Sequence, residues 1–204
     1  MFDSIRAVLF DLDGVIRHFA PSTHIDEAHG LPTGAVEATA FETDLLIPAT
    51  TGAITHGSWI ERIEQRLVAR HGARASGAAA EYGGLPATVD AEILELSNTL
   101  RRNGIVTAVL TNGTTRVESE CERLGIPEHF DRFFNSARIG YAKPDRRVFE
   151  HAVAALSLQP EQCSFTDDSE FKLTGATEIG IRTHHFVDAA TLRQWLGLVG
   201  LPVA

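Results

Sequence analysis

Apolar residues follow two rhythms along this chain. Ala7-Val8-Leu9-Phe10 and Ile105-Val106-Thr107-Ala108-Val109-Leu110 are short, nearly continuous apolar runs, the pattern of strands buried on both faces. Shorter runs around Phe133-Phe134, from Cys163 to Thr166 and from Ile181 to Phe186 predict further strands. Between them, apolar positions recur every three or four residues. Ile93, Leu96 and Leu100 line a helix that stops at Gly104, and Val117, Cys121 and Leu124 line another closed by Gly125. Thr115 with Glu118 predicts the amino-terminal cap of the second. Helices are also predicted from Asp145 to Leu156, from Glu170 to Ile179 and around Trp195 and Leu198, the last docking on the sheet. Strands alternating with helices predict an α/β chain with a doubly wound, Rossmann-like parallel sheet.

Residues 15–86 break this alternation and read as mostly helical. Ser58 with Glu61 suggests a capping box, and Ile60, Ile63 and Leu67 follow at helical spacing until Gly72. The small-residue run from Gly72 to Ala80 fits a weak helix or a hinge equally well. Trp59 and Phe41 are expected in the core of this segment. The chain therefore divides into a core, 1–14 and 87–204, and a helical insertion, 15–86, placed to roof the sheet's carboxyl edge.

Composition narrows the class. At 204 residues and 44% hydrophobic, the chain can bury a full core. A net charge of −9 argues against nucleic acid as a partner. No stretch is apolar enough to span a bilayer. The first strand begins too close to Met1 for a leader peptide, and two cysteines without metal-ligand spacing, Cys121 and Cys163, suit free thiols. A cytoplasmic location is the expectation. There is no internal repeat.

The candidate chemistry sits at strand ends. Asp11 and Asp13 lie two apart after the first strand, so both carboxylates can face one site at the sheet's carboxyl edge. Their repulsion is on the order of a few kcal/mol at an effective dielectric of about 20, which invites a divalent cation such as Mg²⁺. Thr111-Asn112-Gly113 follows the second strand and precedes a helix, where a hydroxyl, an amide and free N–H groups suit phosphate or simply cap the helix. Lys143 precedes Pro144, which fits a helix's first turn and holds the lysine at a strand-to-helix junction. Asp167-Asp168 ends an apolar strand, a poor use of buried positions without a cation. His184 and His185 are adjacent on a strand and face opposite ways.

The ordered set Phe10-Asp11-Leu12-Asp13-Gly14, Leu110-Thr111-Asn112, Lys143-Pro144 and Phe165-Thr166-Asp167-Asp168 resembles the haloacid dehalogenase superfamily of hydrolases. Gly52 to Thr55 with Trp59, and Lys143-Pro144-Asp145 with Phe149, look most like its glucose-1-phosphate phosphatases and the phosphatase domain of soluble epoxide hydrolases. The insertion then looks like the family's small helical cap. The resemblance implies Asp11 as nucleophile and Asp13 as general acid–base. It implies Thr111, Asn112 and Lys143 as phosphate ligands, and Mg²⁺ held by Asp11, the Asp13 carbonyl, Asp167 and Asp168. Arg17, His18 and Phe19, just beyond the catalytic turn, are candidate substrate contacts. The likeness departs at Lys172, where many relatives carry Asn; a lysine there either alters the support of the metal loop or faces solvent.

The expected activity is hydrolysis of a small phosphorylated metabolite by a monomer or homodimer. Asp13 favours this over dehalogenation, because a halide leaves without a proton. A phosphomutase would use the same pair. A catalytically silent binding protein of this fold is the alternative of another class, although none of the motif residues is lost.

Overall fold

Alternation along the first strand sets the layering of the molecule. The computed structural model describes residues 4–203, so positions 1–3 and 204 of the expected core lie outside the described residues. In β1, Ala7–Phe10, the side chains of Val8 and Phe10 enter one apolar cluster while Ala7 and Leu9 enter another. Both faces of the sheet are therefore covered, as a parallel sheet requires.

The other strands are β2 (Arg17–Phe19), β3 (Ala87–Val89), β4 (Val106–Thr111), β5 (Arg132–Asn135), β6 (Cys163–Asp167) and β7 (Arg182–His185). Five of them form one all-parallel sheet in the order β5-β4-β1-β6-β7. The chain leaves β1 for β4 on one side and later returns to β6 on the other. The crevice at the carboxyl end of β1 is thus the switch point where doubly wound sheets bind ligands. The doubly wound α/β expectation holds.

Helices complete the layers. Those of the segment after β2 are α1 (Thr23–Ala28), α2 (Ala35–Ala40), α3 (Thr43–Thr50), α4 (His56–His71) and α5 (Ala78–Gly83). Those of the sheet layers are α6 (Ala91–Arg102), α7 (Val117–Arg123), α8 (Ser136–Ile139), α9 (Arg146–Leu156), α10 (Glu170–Glu178) and α11 (Ala189–Leu198). Ile93, Leu96 and Leu100 of α6, Val117 and Cys121 of α7 and Leu192 and Leu196 of α11 cover one face. Val148, Phe149, Ala152 and Val153 of α9 with Leu173 and Ala176 of α10 cover the other. Cys121 and Cys163 are buried and free. Among the described residues, no helix is long and apolar enough to cross a membrane.

Helices α1–α5 gather round a third cluster, built on Ile25, Val36, Leu45, Trp59, Ile63 and Leu67. Several local expectations change here. The cap of α4 is Thr55, whose side chain accepts from the Ser58 N–H, so the helix starts three residues before the expected Ser58 box. Thr115 does not cap α7; its hydroxyl accepts from the His56 N–H at 3.0 Å and ties α4 to the core. The small-residue run resolves into a 3₁₀ turn, Ala73–Ala75, followed by α5. That short helix holds because the Glu64 carboxylate accepts from the N–H groups of Gly77 and Ala79, satisfying its open amino terminus. Phe41 is 57% exposed rather than in the core, and Leu198 is 79% exposed while Leu192 and Leu196 do the docking. The helical expectation for 15–86 also missed β2, which pairs antiparallel with β3 and forms the two-stranded base of the segment.

His56 is the residue through which α4 senses the core. Its Nδ1 lies 3.0 Å from the Thr114 hydroxyl, while Nε2 is buried without a partner. Burial, helped by the charge of Arg116, pushes its pKa down to about 4 from 6.5. The unfolded chain takes up a proton that the folded one refuses, so stability is lost as pH falls from about 6.5 to about 4. His56→Gln should flatten this slope, which thermal unfolding of both proteins from pH 7.5 to 4.5 would reveal; parallel pH profiles would exclude His56 as the cause.

Candidate active site

Asp11 follows β1 directly, and its backbone N–H continues the sheet by donating to the Thr166 carbonyl at 2.9 Å. The central position between β4 and β6 leaves its side chain almost no solvent, so its charge must be met by the protein. Lys143 meets it. The buried ammonium lies 2.7 Å from Asp11 Oδ1 and 2.7 Å from Asp167 Oδ2, and donates to the Leu110 carbonyl at 3.0 Å. All of its donors are thereby used. The Leu12 N–H adds a 2.7 Å bond to Asp11 Oδ1. Burial alone would raise the Asp11 pKa, but Lys143, then Lys172, outweigh it and hold the carboxyl ionised below the usual range. Asp167, equally buried, is pushed up by its burial and by the neighbouring Asp11 charge.

The lysine is positioned through its backbone. Asn112, the residue after β4, accepts from the Lys143 N–H at 2.8 Å and donates to the Lys143 carbonyl at 2.9 Å. The side-chain amide of Asn112 therefore grips the Lys143 backbone, a role the sequence did not suggest. Thr111 ends β4 and is buried beside it. Pro144 is not in a helix's first turn: its peptide bond with Lys143 is cis, and Asp145 caps α9. Gly175 of α10 backs this turn so closely that a Cβ there would fall 1.9 Å from the Pro144 carbonyl oxygen.

Asp13 faces a different environment. Arg17 grips its carboxylate with two bonds, Nε to Oδ1 at 2.6 Å and Nη2 to Oδ2 at 3.0 Å, and reaches Glu120 at 3.0 Å. Although 41% of its side-chain surface is open, Asp13 is crowded by protein atoms. That desolvation raises its pKa, Arg17 opposes the rise and the Asp11 charge adds to it. Of the three candidate substrate contacts, Arg17 is buried and serves Asp13, while His18 and Phe19 are exposed. The Arg17 guanidinium lies over the Phe19 ring, 4.6 Å from its centre.

Oxygens of Asp11, Asp167 and Asp168 lie within 4.8 Å of one another, a hard-oxygen donor set of the kind Mg²⁺ prefers. The Asp13 carboxylate is turned to Arg17 and stands outside this cluster. Gly14, at φ +90°, permits the approach of Asp168, since a Cβ would lie 2.2 Å from its Oδ2. Lys172, from the first turn of α10, points into the same cluster, 3.3 Å from Asp11, 3.6 Å from Asp167 and 3.6 Å from Asp168. It is not a solvent-facing lysine. The available signal was its place in the first turn of the helix that follows Asp167-Asp168 directly, within reach of the strand end.

The profile of the haloacid dehalogenase-like hydrolases matches residues 5–180, and the chain belongs to that family. Among curated relatives it is 27% identical over 210 residues to bifunctional epoxide hydrolase 2 of Sus scrofa, covering 88% of this chain and 36% of that protein. The chain thus spans about a third of that relative's length. It is 23% identical to N-acetylmuramic acid 6-phosphate phosphatase of Pseudomonas aeruginosa, across 88% of this chain and 80% of that one. A HAD family enzyme of Bacteroides thetaiotaomicron, solved with magnesium and inorganic phosphate, superposes with a TM-score of 0.70 at 22% identity, over 89% and 93% of the two chains. At that identity the likeness speaks for the fold.

Removing the central cation should be costly. Lys143→Met leaves Asp11 and Asp167 buried with a weaker partner and is expected to destabilise the protein by about 3–5 kcal/mol. The loss should shrink between pH 7.5 and pH 5, as the carboxyls take up protons. Denaturant unfolding at the two pH values measures both effects, and a loss independent of pH would point to packing instead.

Proposed function

We propose that this chain is a Mg²⁺-dependent phosphatase that hydrolyses a small phosphorylated metabolite through an aspartyl-phosphate on Asp11. The observation that carries the reading is a buried carboxylate kept ionised by Lys143 at the switch point of the sheet, with a second carboxyl of raised pKa two residues later. Such a pair divides nucleophile from acid. The phosphatase relative and the magnesium–phosphate complex of a structural neighbour support the same class.

In this reading an oxygen of Asp11 attacks phosphorus, and the phosphorus–oxygen bond to the leaving group breaks as Asp13 donates its proton to that oxygen. Asp13, now ionised and held by Arg17, takes a proton from water, which attacks the phosphoryl group and frees phosphate and Asp11. Lys143 offsets negative charge on Asp11 and on the phosphoryl oxygens, with Thr111 and Asn112 at the adjoining strand end. Asp11, Asp167, Asp168 and the Asp13 carbonyl would hold Mg²⁺, which supplies charge neutralisation for the transferring group when bound.

Residues 15–86 act as a cap over a core of 1–14 and 87–204. The separate apolar cluster of α1–α5 supports that division, with β3 of the two-stranded base, Ala87–Val89, falling just past its boundary. Arg17, His18 and Phe19 lie on this base, where Arg17 reaches the substrate through Asp13.

Turnover of an aryl phosphate tests the reading. Wild-type protein should hydrolyse it in Mg²⁺ and lose turnover in EDTA, Asp11→Asn should abolish it, and Asp13→Asn should lower kcat by about 10²–10⁴-fold. Beryllium fluoride should be trapped on Asp11. The absence of both turnover and trapping would refute a phosphatase.

A further inference from the structure

Three carboxylates converge at the end of β1 and β6, yet the buried Lys143 engages only two of them, Asp11 and Asp167. With all three ionised, Lys143 leaves two negative charges uncompensated, the complement of one divalent ion. Lys172 already stands among them. Its Nζ lies 3.3–3.6 Å from an oxygen of each of the three acids. The geometry points to Lys172 as a resident cation of the carboxylate cluster, one that competes with Mg²⁺ and must swing out before the metal binds. This rests on the metal-dependent reading of the site and adds how its occupancy is controlled.

Two contrasts between the lysines support the assignment. Lys143 makes 2.7 Å contacts and is fully buried, whereas Lys172 sits at longer distances from every partner and its side chain is 30% exposed. The first is bonded in place; the second is shared among acids without a short bond to any. Lys172 also springs from the first turn of α10, with a flexible stem and an open side toward solvent, so the ammonium can leave without moving the backbone. Space makes the exclusion mutual. Oxygens of the three acids lie within 4.8 Å of one another, and an ion with oxygens at about 2.1 Å needs the volume that the ammonium fills. Without metal, Lys172 keeps like charges from facing each other bare. With metal, its displaced charge is free to meet an anionic ligand at the mouth of the site.

Titration of the full chain with MgCl₂ alone, followed by calorimetry, tests this without reference to catalysis. Lys172→Asn removes the competing charge and should tighten Mg²⁺ binding by at least about tenfold. Lys172→Arg keeps the charge and should bind Mg²⁺ no more tightly than wild type. In EDTA the Asn variant should melt below wild type, and added Mg²⁺ should raise its Tm by more than it raises that of wild type. Lys172→Gln serves as a second neutral variant if the Asn variant folds poorly. Equal or weaker Mg²⁺ binding by both neutral variants, or no binding by any of the proteins, overturns the inference. Tighter binding without phosphatase activity would instead refute the proposed reaction and leave Lys172 in this role.

Discussion

The ion pair of Lys143 with Asp11 and Asp167 is the constraint on which the rest of the site hangs. Two ionised carboxylates side by side in the interior of a sheet need a cation between them, and the buried Lys143 supplies it. The chain meets this requirement from three separate places. Asn112 holds the Lys143 backbone by both its N–H and its carbonyl, the Leu110 carbonyl takes the third ammonium proton, and α10 backs the following proline through the bare face of Gly175. Displacing any of these supports would move the ammonium, and with it the charge state of Asp11.

Asp11 and Asp13 show how far environment separates two identical side chains. They are two residues apart, yet one is ringed by ammonium groups and the other by crowding, a neighbouring negative charge and a single guanidinium. The first is held ionised and the second is drawn toward its protonated form. Arg17 limits the second shift, and the site depends on that balance rather than on the bare presence of two acids.

What could be read from the sequence was what repeats. The apolar runs of β1, β4 and β6 and the helical spacing of α6 and α7 made the parallel sheet legible, and strand ends then drew attention to Asp11, Asp13, Lys143, Asp167 and Asp168. Features decided by contacts distant in sequence were not legible. The three-residue strands β2 and β3 carry no periodicity long enough to register, and each exists because the other is there. Thr115 had the composition of a cap, but α4 supplied a better partner for its hydroxyl. The hold of the Asn112 side chain on the Lys143 backbone was not legible, because nothing local shows that Lys143 lies against it. Lys172 counted as a departure from a motif, although its side chain enters the cluster.

One feature of the layering bears on how such a protein can change. Every group of the acidic cluster and its lysines comes from the ends of β1, β4 and β6, the turn before α9 or the start of α10. Helices α1–α5 bury their own apolar cluster and give no atom to it. The acidic cluster and the helices of the inserted segment therefore lie in separate stretches of chain, joined at Arg17 of β2, which grips Asp13. Under the proposed function, substitutions on helices α1–α5 leave the acidic cluster and its lysines in place, so a change of substrate can proceed by small steps through active intermediates.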